Sequence, residues 1–163
     1  MTLSQKIADA VETHARTAGA NIPGPIGAET EDHRIALRLI GGGPVGVAFD
    51  ELTFAAINPD PSLSGADLRA WGDRLATRLT YLMEPLVVLE VDAEAGSAEL
   101  RSESPTTRGD VRSFYEVRLA RDRSLRLGRV SFDTATRQRR PAACQLTGEM
   151  LERLTDDLVA SLS

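Results

Sequence analysis

Four strand-like segments, at 86–92, 98–102, 111–119 and 125–132, follow one another through connections too short to hold a crossover helix. A parallel return takes about a dozen residues or more, so these strands pair antiparallel and form a meander. That constraint shapes everything packed around them.

Ahead of the meander, Leu68, Trp71, Leu75, Leu79 and Leu82 recur at helical intervals behind Ser64 and Asp67, the spacing of a capping box, and Pro85 is expected to stop this helix. A first helix is read over 3–18 from Leu3, Ile7 and Val11, with Ser4 as its cap. A last helix carries Met150, Leu151, Leu154, Leu158 and Leu162 behind Thr147. From Gly19 to Asp32 the glycines and prolines read as a loop. His33 to Ile40 then alternates, with Ile35, Leu37 and Leu39 opposite Arg34, Ala36 and Arg38. Gly41 to Pro44 reads as a turn, and Val45, Val47 and Phe49 complete a hairpin whose pattern changes phase at Asp50 and Glu51, as at a bulge. The expected order is α-β-β-α-β-β-β-β-α: an α+β fold with a mainly antiparallel sheet and helices packed on one face. At 163 residues this is one globular domain, 1–163, able to bury about 70% of its unfolded surface.

Charge is distributed unevenly over that framework. Residues 101–140 hold eleven arginines, no lysine and five acids, a balance of +6, while the remainder holds eight cations and nineteen acids, a balance of −11. Arginine's planar fork suits carboxylates and phosphates, so such a segment offers a face to an acidic partner. On strand 111–119, Arg112, Phe114, Glu116 and Arg118 share the solvent side. Together with Arg126, Arg129, Arg137, Arg139 and Arg140, the arginines and Phe114 are the candidate binding residues. The competing reading is a solvated face neutralised by cross-strand pairs, such as those open to Glu116.

The run Arg78-Leu79-Thr80-Tyr81-Leu82-Met83-Glu84-Pro85-Leu86, with Leu100-Arg101-Ser102, Phe114-Tyr115-Glu116-Val117 and the ending Leu146 to Leu154, resembles an uncharacterised bacterial family of conserved hypothetical proteins. The resemblance runs from about residue 64 onward. It implies a family without a known activity, so it transfers no functional residue.

Catalytic and cofactor signatures are missing from the sequence. His14 and His33 are the only histidines and fit no metal spacing, and the lone Cys144 among alanines reads as a buried, inert thiol. Gly41-Gly42-Gly43 lacks the Lys-Ser/Thr of a phosphate loop. No cofactor is expected. The single cysteine, together with an N-terminal stretch unlike an export signal and apolar runs too short to span a bilayer, predicts a cytoplasmic protein off the membrane. These features predict a non-enzymatic adaptor or chaperone-like module that contacts a protein partner or a second copy as a homodimer. The alternative is an anion or nucleic-acid-binding module on the arginine sheet. Nucleic acid is disfavoured by the acidic remainder and the 4% aromatic content. An enzyme with its site between the sheet and residues 19–32 is a third reading.

Overall fold

The computed structural model describes residues 1–19, 22–43 and 46–163. Thr2, two residues before the expected Ser4, caps helix α1 (Leu3–Thr17): its hydroxyl accepts the Gln5 backbone N–H while the Gln5 side chain accepts the Thr2 N–H. The stretch read as a loop contains a strand, β1 (Gly24–Glu29), antiparallel to β2 (His33–Gly43). Ile26 and Ala28 pack against the core while Pro25 sits on an edge strand, where its missing N–H is tolerated.

Strand β3 (Gly46–Ala56) pairs with β2, and the phase change at Asp50 is a bulge: Arg38 faces Glu51 and Leu39 faces Phe49, leaving Asp50 without a counterpart. The next shift skips Ile40 and restores the register. Gly41 to Gly43 belong to β2 rather than to a turn, and the expected Pro44 and Val45 positions lie outside the described residues.

Helix α2 (Gly65–Arg78) starts at the expected capping box and ends well before Pro85. Leu79 leaves the helical region, and tertiary partners hold the segment that follows: Tyr81 Oη donates to Asp157, Arg153 lies over the Tyr81 ring, and Glu84 turns inward. Gly72 lets α2 approach the sheet, since a Cβ there would lie 2.9 Å from Val88 Cγ2.

The second half comprises β4 (Leu86–Asp92), β5 (Ser97–Ser102), β6 (Thr106–Arg108), β7 (Val111–Ala120), β8 (Ser124–Asp133), β9 (Gln138–Ala142), β10 (Cys144–Thr147) and α3 (Gly148–Ser161), whose cap is Thr147. Strands β4, β5, β7 and β8 form the expected meander, while β1, β6, β9 and β10 are additions to the expected order. All strand pairs are antiparallel, in the order β1-β2-β3-β8-β7-β5-β4. The architecture is α+β.

The two halves of the sheet meet where β3 pairs β8, and only from Leu52–Ala55 to Ser124–Leu127. Beyond Leu52 and Leu127 the two strands diverge. Strand β9 runs down β8 from Asp133 to Arg129, the chain reverses past Ala143, and β10 runs back along β3 from Phe49 to Gly46. At Gly46 a Cβ would lie 2.6 Å from the Leu146 carbonyl, so that contact requires glycine. The helices cover one face of the sheet, with α3 touching both α1 and α2. Where helices and sheet meet, Trp71 and Leu154 join Ile35, Leu37, Phe54, Leu100 and Val117 in one buried cluster. The opposite face is left to solvent.

A candidate binding groove on the open sheet face

Strand alternation sends every second side chain to the open face, and the strand registers bring distant residues into rows. One row runs Gly27, Ala36, Thr53, Arg126, Arg118 and Glu99, crossing β1, β2, β3, β8, β7 and β5. The adjacent row runs Glu29, Arg34, Ala55 and Ser124. Each row contains a run of small side chains, Gly27, Ala36 and Thr53 in one and Ala55 and Ser124 in the other. The result is a groove of about 790 Å³ lined by the small residues Gly27, Ala36, Thr53, Ala55, Ala120 and Ser124 and by Arg34, Arg118 and Arg126.

Arg118 and Arg126 stand directly opposite each other on paired strands, an arrangement of like charges that weakens a sheet. Arg118 is 67% exposed and reaches Glu99 at 3.8 Å. Among the described residues, neither Arg34 nor Arg126 has an ion-pair partner.

A second zone of the same face behaves differently. Asp50 and Glu51 pair with Arg38, Glu99 and Glu116 with Arg101, and Glu116 also with Arg139. This is the neutralised, solvated face that the Glu116 reading anticipated, and it sits beside the groove with a smaller hollow of about 430 Å³. Phe114 is half-buried there, with the Arg101 and Arg139 guanidinium groups 5.5 Å and 5.9 Å from its ring centre. The ring is therefore within cation–π range of two of the protein's own cations.

The candidate residues thus separate. Arg118 and Arg126 line the groove, and Arg139 and Phe114 belong to the paired zone. Arg112, Arg137 and Arg140 are exposed away from the groove, Arg140 donating to Gln138 at 2.9 Å. Arg129 does not reach the open face at all. It follows Leu125 and Leu127 at the inward-facing parity of β8 and is buried in a bidentate pair with Glu84.

Glu84 is satisfied on both oxygens: Ser102 donates to Oε1 at 2.8 Å and Thr106 to Oε2 at 2.7 Å, alongside the two Arg129 nitrogens. Burial pushes its carboxyl up, but the hydrogen bonds from Arg129, Thr106 and Ser102 outweigh this and hold it below the ordinary range. Cys144, opposite Phe49 where β10 begins, is buried, and burial pushes its thiol up to about 12. His33 stacks on Phe54 at 5.5 Å, and burial lowers its pKa. Among the described residues, no three His, Cys, Asp or Glu side chains gather as a metal site requires.

Arg34 was missed as a binding candidate because it lies outside the arginine-rich segment. Its outward parity was readable from β2. Its place in the same groove as Arg126 depends on β3 pairing with β8, a contact between distant parts of the chain.

Comparison with protein families, curated proteins and solved structures gives no match to this chain. No helix among the described residues is long and apolar enough to cross a membrane.

Proposed function

We propose that the protein is a non-enzymatic polypeptide-binding module, an adaptor or chaperone-like protein, and that the groove on its open sheet face is the contact surface. The observation that carries this reading is a floor of small side chains lined by Arg34 and Arg126, which have no ion-pair partner among the described residues, and by Arg118, whose one acidic neighbour, Glu99, is 3.8 Å away. Small floor residues allow another main chain to approach the sheet closely, and the arginines supply orientation and association rate toward a complementary surface. The groove is open along one side. A small ligand gains affinity by being enclosed over most of its surface, whereas an open groove rewards an occupant with length.

The opposition of Arg118 and Arg126 also suits a phosphate, so anion or nucleic-acid binding is the second reading. Affinity capture with the tagged chain and with an Ala36→Trp variant, each with and without nuclease, separates the two. A protein retained through nuclease treatment and lost with Ala36→Trp is the expected result. Recovery of nucleic acid, or of proteins that nuclease releases, would transfer the groove to the second reading.

A further inference from the structure

We infer that the occupant of the groove is an acidic, extended polypeptide segment, its backbone lying over the small-residue floor and its carboxylates on Arg118 and Arg126; this rests on the polypeptide-binding reading. The pairing register sets those two guanidinium groups directly across from each other, and Arg126 has no counter-charge among the described residues. A carboxylate between them relieves the repulsion and forms charge-assisted hydrogen bonds with a planar fork.

The end at β1 is charge-balanced rather than cationic. Glu29 stands across from Arg34 at that end, so the anionic part of the segment lies toward β7 and β8, and a neutral or basic residue falls beside β1. The segment therefore binds in one direction.

Other occupants fit less well. A nucleic acid would need a stacking surface, and the half-buried Phe114 already has the Arg101 and Arg139 guanidinium groups 5.5 Å and 5.9 Å from its ring centre. Three arginines are also few against the several phosphate contacts that non-specific nucleic-acid binding needs. A second copy docked face to face would set the same three arginines against themselves.

The test is fluorescence anisotropy on the full chain with three labelled probes: a peptide of alternating glutamate and alanine, the same peptide with glutamine for glutamate, and a single-stranded DNA oligonucleotide. The glutamate peptide should bind, lose affinity as salt rises, and bind about tenfold or more weakly to Arg118→Gln or Arg126→Gln. Glu29→Gln should tighten it, Ala36→Trp should abolish it by filling the floor, and Arg69→Gln on α2 should leave it unchanged. Thr53→Trp replaces Ala36→Trp should that variant not fold, as judged by circular dichroism. No binding of the glutamate peptide, equal binding of the glutamine peptide, or tighter binding of the oligonucleotide would overturn the inference. So would self-association in sedimentation that the floor-filling variant removes. Panning a displayed random peptide library separates this inference from the broader reading. Acid-free binders lost on Ala36→Trp would defeat the acidic occupant alone, and a library with no Ala36→Trp-sensitive binder would defeat both.

Discussion

Glu84 and Arg129 meet inside the protein as a two-pronged ion pair, Nη1 to Oε1 and Nη2 to Oε2 both at 3.0 Å, with side chains 5% and 7% exposed. The pair joins the segment after α2 to the inward face of β8, and the Tyr115 ring lies 4.6 Å from the Arg129 guanidinium carbon. Removing one member strands a buried charge, whereas removing both strands none. Arg129→Met is therefore expected to cost about 3–5 kcal/mol, and Glu84→Leu combined with Arg129→Met considerably less than the two single costs added together. Urea denaturation of the three variants in a double-mutant cycle measures this.

The same pair makes stability depend on pH. Folded Glu84 titrates below its ordinary value of 4.5, so as pH falls the unfolded chain takes up this proton first. Its stabilisation is complete above that value and is lost as the pH drops through the lower folded value. Urea midpoints followed from neutral to acidic pH should fall in this window for the native chain, and less steeply for Glu84→Gln.

Trp71 Nε1 donates to Ser161 Oγ at 2.9 Å, and Ser161 Oγ donates in turn to the Leu158 carbonyl at 2.7 Å, tying α2 to the end of α3. Ser161→Ala leaves a fully buried indole N–H without its acceptor, at an expected cost of about 1–3 kcal/mol. Trp71 is the only tryptophan, so its emission reports the unfolding transition of this variant directly.

Cys144 is buried, with its thiol pushed up by burial to about 12, so little thiolate is present near neutral pH. Alkylation by iodoacetamide at mildly alkaline pH should be slow in the native protein and fast in urea. A fast native reaction would show that the junction between β9 and β10 opens readily.

Arg126 is expected to be a residue whose loss stabilises the fold while weakening binding. Because it faces Arg118 across a strand pair, Arg126→Glu converts a like-charge contact into an attractive one, for a gain of about 0.2–1 kcal/mol at low salt. The gain should shrink as salt is added. Thermal melts at two ionic strengths check both expectations.

How much of this was legible depended on the range of the interaction responsible. Ser64 with Asp67, and Thr147 with Met150, cap helices through bonds three residues long, so α2 and α3 could be read where they begin. The end of α2 could not, because Leu79 and Leu82 keep the helical spacing of buried residues after the backbone has left the helix. Strand β9 escaped notice because Gln138 to Pro141 are all exposed and carry no apolar alternation; pairing with β8 makes them a strand. Arg129 illustrates an available signal passed over, since the parity of Leu125 and Leu127 already pointed it inward.

By itself the sequence determined the amphipathic elements, the antiparallel meander, the position of the bulge and the outward row of Arg112, Phe114, Glu116 and Arg118, all through contacts close along the chain. The tertiary structure alone decided which arginines are neutralised, which one is buried, and which gather around the groove. Those outcomes depend on β3 lying beside β8 and on Glu84 reaching Arg129. Each joins residues 45 to 75 positions apart, across which local spacing carries no information about which side chains will meet.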